Sequence, residues 1–235
     1  VRVAIHQPQY LPWLGYLAKW AAADLFILLD VVPYEKNGWQ NRNRVKTRDG
    51  VRWLTVPVHA HLGTPIREIA IDGSRAWPAQ HLRTIEQAYA RAPWLATYRG
   101  ELAALYATPW THLTPLAAAS ARWLGGACGI ATPVRLASEL LGPQAVDDPS
   151  ERLVALCRAA GADAYLAGAD GVRYMDLTAF AAAGIAVHAQ RYEHPVYAQI
   201  HGDFVPSLSG LDLLLSAGDR ALSILQSGDR WSRLL

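Results

Sequence analysis

The sequence predicts an α/β fold: a Rossmann-like three-layer sandwich around a mainly parallel sheet of about five strands. Three observations lead there. Short apolar runs recur at Val3–Ile5, Leu25–Leu29, Val134–Ala137, Ala164–Ala167 and Ile185–Gln190, and continuous runs of this kind fit strands buried on both faces. Most are joined by stretches with apolar residues at helical spacing. The 235 residues are 51% hydrophobic, enough to bury a full core without metal or disulfide support.

In chain order, the first strand delivers His6 and Gln7 to its carboxyl end. Pro8 and Pro12 stiffen the turn that follows, and a helix starts near Trp13 and ends near Asp24. Leu25–Leu29 forms the second strand, closed by Asp30, which is expected beside His6 and Gln7 if the strands are neighbours. Residues 31–40 hold Pro33, Asn37 and Gly38 without helical period and read as a loop. Asp49-Gly50 then predicts a tight hairpin. With Arg48 opposite Val51, Lys46 would face Trp53 and Arg44 would face Thr55. Val45 and Leu54 would share the apolar face. Arg42, Arg44, Lys46 and Trp53 would form a basic strip on the other, either a phosphate or carboxylate site or a solvated surface with Lys46 stacked on Trp53.

A further short strand is expected at Ile66–Ile71, then helices from Trp77 to Gly125, broken at Pro93 and at Pro109–Pro115. His81, Ile85 and Tyr89 fall on one helix face, where His81 suits either a site or a satisfied packing position. Beyond the third strand, a helix with Ser150 as N-cap runs to Gly161. The fourth strand leads into a tight turn, Gly168-Ala169-Asp170-Gly171, and a helix over roughly 176–183 precedes the last strand. An irregular stretch from His194 to Phe204 is dense in polar groups, and loops of that composition carry function more often than core helices do. No low-complexity linker or repeat divides the chain, so one domain is expected over 1–235, with a hairpin insertion at about 38–72 and a helical segment at about 77–125.

Composition narrows the function classes. With 22 basic and 20 acidic residues the chain is no polybasic nucleic-acid binder overall, although a local basic patch remains open. Two distant cysteines, Cys128 and Cys157, argue against an oxidised framework and against zinc. Cys157 shares an apolar helical stripe with Leu153, Leu156 and Ala160, which predicts burial over nucleophilic catalysis. The first residues form a strand and not a charged leader, and no apolar run reaches the roughly 20 residues of a membrane span. A soluble cytoplasmic protein is therefore expected. Nine tryptophans and ten tyrosines against three phenylalanines tilt the reading towards a ligand-binding surface.

No Walker loop, dinucleotide fingerprint or metalloprotease helix is present. Pro12-Trp13-Leu14-Gly15-Tyr16-Leu17 after a first strand is loosely similar to the nucleotide-binding turn of nucleotidylyl transferases. Trp13 and Tyr16 stand where that turn has histidines, so the likeness extends to fold and not to phosphate chemistry. Metal binding would need His6, His194, His201 and Asp30 to converge, which no spacing demands. Neither metal nor cofactor is expected.

Several blocks together resemble the WbqC-like protein family of bacterial polysaccharide and other biosynthetic clusters. They are Val3–Pro8 with Pro12–Tyr16, Gly38–Arg44, Trp53–Val58, His81–Tyr89 with Ala92-Pro93, His194–Tyr197, His201–Phe204, and Ser209 with Leu211–Leu214. They run from end to end in order. The chain departs from the family pattern at Ala167–Gly171, where a Ser or Asn followed by Pro-Gly-Gly is usual.

The resemblance implies an amide-forming aminoacyl transferase of glycyl type, acting in O-antigen or other natural-product biosynthesis. The donor would be an acyl or peptidyl carrier protein or an aminoacyl-tRNA, and the acceptor an amino sugar or another small amine. Such a transfer needs a base for the attacking ammonium, donors for the developing oxyanion and a cationic grip on a phosphate-bearing carrier. His6 or His81 would be the base, with Asp30 in the catalytic set. Gln7, Asn41 and Asn43 would stabilise polar groups, while Arg42 and Arg44 hold phosphate. Tyr10, Trp13, Tyr34, Trp39, His194, Tyr197 and His201 complete the expected substrate-binding set. An ATP-dependent amide ligase of nucleotidylyl-transferase type and a non-catalytic carbohydrate- or carrier-binding protein are the alternatives.

Overall fold

The computed structural model describes residues 1–142, 146–169, 171–173 and 175–235. Its elements run β1 (Arg2–His6), α1 (Leu14–Ala22), β2 (Leu25–Leu28), β3 (Arg42–Thr47), β4 (Gly50–Thr55), β5 (Val58–His59), β6 (Ala70–Ile71), α2 (Trp77–Ala88), α3 (Leu95–Ala107) and α4 (Leu113–Ala127). The second half continues β7 (Val134–Leu136), α5 (Ala137–Leu141), α6 (Pro149–Ala159), β8 (Ala164–Ala167), α7 (Leu177–Ala182), β9 (Ala186–Tyr192), α8 (Gly210–Ala217), α9 (Ala221–Ser227) and β10 (Asp229–Arg233).

The central sheet has six strands in the order β10-β9-β8-β1-β2-β7. All neighbours pair in parallel except β10 with β9. Alternate residues face opposite sides of a strand, and here both sides are apolar. Ala4, Phe26, Leu28 and Leu166 pack with α1, α4, α8 and α9. Val3, Ile5, Ile27, Tyr165, Ala167 and Val187 pack with α5, α6 and α7. The three-layer α/β sandwich predicted from the apolar runs is therefore present. Its sixth strand, β10, is charged and half exposed, which is why no apolar run announced it.

The β3–β4 hairpin lies over a second core, in which Val45 and Leu54 meet Tyr10, Trp77, Ile85, Tyr106 and Leu215. Its register corrects the expected one. Thr47 faces Gly50, so Arg48 and Asp49 make the turn, and Arg44 lies opposite Trp53 with Lys46 opposite Val51. Gly50 supplies a positive φ of 111° after the two turn residues, a conformation glycine adopts without steric cost. Thr47 Oγ1 fixes the turn, donating to Gly50 O at 2.8 Å and accepting Asp49 N at 3.2 Å.

Two smaller corrections follow from capping. Helix α6 starts at Pro149 with Asp148 as its cap, whose carboxylate accepts Glu151 N at 2.9 Å. Ser150 instead accepts Asp176 N at 2.9 Å, holding the segment before α7. The stretch 66–71 is a single helical turn at Ile66–Glu68 followed by the two-residue β6. Asp170, part of the turn expected at Gly168–Gly171, lies outside the described residues. Cys157 is fully buried under the sheet, and burial pushes its thiol up to about 12. Among the described residues no helix is long and apolar enough to cross a membrane.

Candidate functional site

In a parallel sheet, ligands bind where neighbouring strands send their connections in opposite directions. Here that point falls between β1, whose chain continues to β2, and β8, whose chain continues to β9. The β1–β8 ladder ends at Ala4 opposite Leu166. Beyond it, β1 stays paired with β2 as far as His6 opposite Leu28, and β8 with β9 as far as Ala167 opposite Ala189. The carboxyl ends of the two strands thus part, and His6 and Gln7 stand at the opening.

His6 is partly buried, with its ring edge-on to Tyr16 at 4.7 Å. Its Nδ1 lies 3.2 Å from the Gln7 carbonyl, so Nδ1 carries the proton and Nε2 keeps its lone pair. Burial, with the nearby Lys19 charge, depresses its pKa well below the ordinary histidine value. The imidazole is therefore neutral, with the Nε2 lone pair available, and the same burial makes it a weaker base than a free histidine. Lys19, from α1, donates to Ile5 O at 3.0 Å, and burial lowers its pKa to about 7.

Gln7 ties this strand end to the loop before the hairpin. Gln40 Nε2 donates to Gln7 Oε1 at 2.7 Å, Gln7 Nε2 donates to Glu35 Oε1 at 3.3 Å, and Gln40 Oε1 accepts Glu35 N at 2.9 Å. From there the alternation of strand faces sorts the Asn41–Arg44 run. Asn41 and Asn43 point inward and serve backbone: Asn41 Nδ2 donates to Val56 O at 2.7 Å, and Asn43 Nδ2 to Leu11 O at 2.8 Å. Arg42 and Arg44 point outward beside two indoles. Arg42 lies 4.3 Å from the Trp53 ring centroid, and Arg44 lies 5.6 Å from that of Trp39. The two rings are 5.3 Å apart, with Trp39 38% and Trp53 42% exposed. Arg42 is steadied by Gly38 O at 3.2 Å and Arg44 by Ser207 O at 2.8 Å.

Lys46 does not belong to this outer strip. It is buried, with Nζ donating to Gln199 Oε1 at 2.9 Å and to the Asp203 carbonyl. The segment 199–203 covers the end of β3, which residue alternation alone could not reveal.

The other expected site residues divide by surroundings. His81 is buried against Trp77 and pairs through Nδ1 with Tyr10 at 3.0 Å, and Tyr10 in turn meets the Tyr106 hydroxyl. Burial lowers His81 to about 4, so it sits neutral inside the second core. Asp30 is buried, its oxygens accepting Ser138 N at 3.0 Å and Ser138 Oγ at 2.7 Å, where they cap α5. Tyr34 packs beside Val32 and Ile66. Trp13 meets the Tyr192 edge at 5.5 Å near the end of β9. His194 lies against Tyr192, Tyr197 and Phe204, and burial lowers its pKa. Tyr197 donates to Asp212 at 2.8 Å, and His201 Nε2 lies 2.6 Å from Ala88 O. A groove of about 600 Å³ opens between the hairpin tip and the end of α2, lined by Arg48, Arg52, Arg91 and His201, and shares no residue with the strand-end opening. Among the described residues no three His, Cys, Asp or Glu side chains gather as a metal site.

Two residues escaped the sequence reading. Asp212 is fully buried and accepts both Tyr89 and Tyr197 at 2.8 Å, with burial raising its pKa. Lys19 is the other, and its signal was legible as the lone charge in the apolar run from Leu14 to Ala23.

The fold is that of an α/β protein with an opening at the switch point of its sheet, tied through Gln7 and Gln40 to an arginine–tryptophan hairpin. The chain belongs to the WbqC-like protein family, which it matches over residues 7–224. It is 37% identical over 231 residues to the uncharacterized protein Rv1507c of Mycobacterium tuberculosis, covering 96% of this chain and 97% of that protein. No solved structure matches.

Proposed function

We propose that the protein is an amide-forming aminoacyl transferase, passing an activated amino acid from a phosphate-bearing carrier to an amine acceptor. The observation that carries this reading is His6, held neutral with Nε2 free at the opening between β1 and β8. Nε2 would take the proton of the attacking amine as the nitrogen bonds to the acyl carbon, and the carrier's thiol or hydroxyl would leave. Arg42 and Arg44, on the outer face of a hairpin tied through Gln40 to Gln7, would hold the carrier's phosphate. His81 is the poorer base, because it is buried and already paired with Tyr10.

The test is product formation from aminoacyl carrier protein and from aminoacyl-tRNA with amine acceptors, comparing wild type with His6→Gln. Loss of a general base lowers turnover on the order of 100-fold or more. Product formation by His6→Gln at the wild-type rate would remove His6 from the mechanism. A second reading, carbohydrate or carrier binding without chemistry, is favoured by the exposed Trp39–Trp53 pair. It predicts retained binding and no product with any donor.

A further inference from the structure

The gap between β1 and β8 holds a buried lysine that meets no counter-charge among the described residues. Lys19 is 2% exposed, and its Nζ donates one hydrogen bond, to Ile5 O at 3.0 Å. That carbonyl is available because the β1–β8 ladder has already ended at Ala4. An ammonium has three N–H donors, and among the described residues no carboxylate pairs with this one. An unpaired buried charge is costly, and burial alone has lowered this group to about 7.

Gly168 lies against one flank of that ammonium. Its φ lies outside the left-handed region, so its backbone makes no demand for glycine. Among the described residues, a Cβ at this position would meet one neighbour within 4 Å, Lys19 Nζ, at 3.4 Å. His6 ends β1 one residue beyond Ile5, and the Tyr16 ring lies 4.7 Å from it, with a buried hydroxyl that finds no partner among the described residues.

We propose that this gap binds the carboxylate of a small substrate, with Lys19 Nζ as the binding group and Gly168 as the way in. Two free N–H donors on a fixed ammonium suit a carboxylate entering past a residue without a side chain. The bound anion supplies the counter-charge that the described residues do not. If the protein transfers acyl groups as proposed above, the carboxylate belongs to the amine acceptor, and Lys19 places that amine beside His6. This last step rests on the transfer reading, whereas the anion site does not.

Lysine-selective NMR of the Lys19 side chain, during titration with acetate, glycine, methylamine or inorganic phosphate, tests the site without any turnover. Acetate and glycine should give a saturable shift, and methylamine none. Gly168→Ala adds an ordinary van der Waals contact and keeps Lys19, yet it should weaken acetate binding by about tenfold or more. Lys19→Met, followed by calorimetry, should abolish it. No acetate response in wild type, an equal response in Gly168→Ala, or a phosphate response matching that of acetate would each overturn the assignment. A positive titration with no transfer product would leave the site standing and the transferase reading refuted.

Discussion

The Arg42 guanidinium lies 4.3 Å from the Trp53 ring centroid, while Arg44, two residues on, sits directly across the ladder from that tryptophan. Two arginines on adjacent same-face positions lie against two exposed indoles and form a cationic, aromatic patch. A guanidinium fork matches phosphate geometry, whereas lysine acts as a point charge. Arg44→Lys should therefore lower kcat/KM for a phosphate-bearing donor by about tenfold or more, the equivalent of one charged hydrogen bond. Steady-state kinetics at two salt concentrations check this, and wild-type behaviour at both would make the hairpin face plain surface.

Lys46→Ala should act on stability, because this side chain is buried and fastens β3 to the 199–203 segment. Loss of charged hydrogen bonds costs roughly 1.5–3 kcal/mol. Urea denaturation should show a lower midpoint, and an unchanged midpoint would mean that the 199–203 segment does not hold β3.

Asn43 bonds Tyr10 O, Leu11 O and its neighbour's amide, Arg44 N. Removing it strands buried backbone groups at about 1–3 kcal/mol each. Asn43→Ala should be among the more destabilising single substitutions near the site, measurable by thermal unfolding.

His81 gives a pH signature. Its folded pKa, about 4, lies below the unfolded value near 6.5. The unfolded chain thus binds the proton first, and stability is full above about pH 6.5 and falls as pH drops towards 4. A shift of this size corresponds to roughly 3 kcal/mol at the acid end. His81→Gln, which cannot titrate, should flatten that slope in denaturation curves between pH 7.5 and 4.5. Parallel slopes in the two proteins would count against a buried neutral histidine.

Cys128 and Cys157 are buried with thiols raised to about 12. The thiolate is the reactive form, so both should resist alkylation in the native protein and react on unfolding. Fast native labelling of Cys157 would reopen it as a nucleophile.

The strands were legible because burial on both faces writes itself as continuous apolar runs. The half-exposed β10 left no such mark. At the site, His6 and Gln7 could be placed from the strand they end. The task of Asp30 could not, because its partner Ser138 is 108 residues away. The hairpin register depended on whether Gly50 occupies the turn or follows it, and the same dipeptide permits both. Alternation puts Lys46 on the outer strip with Arg42 and Arg44, and it says which face a residue takes and nothing of what covers that face.

Strand β1 sits mid-sheet although it comes early in the chain. Its partner β2 is close in sequence, but on the other side Arg2 pairs with Ala164. That closure spans most of the chain, and pairings between distant segments form slowly during folding. The cleft at the parted strand ends therefore needs both the first and the last third of the chain in place before it exists. A chain halted before residue 164 on the ribosome would leave β1, with His6 at its end, as an open sheet edge exposed to aggregation.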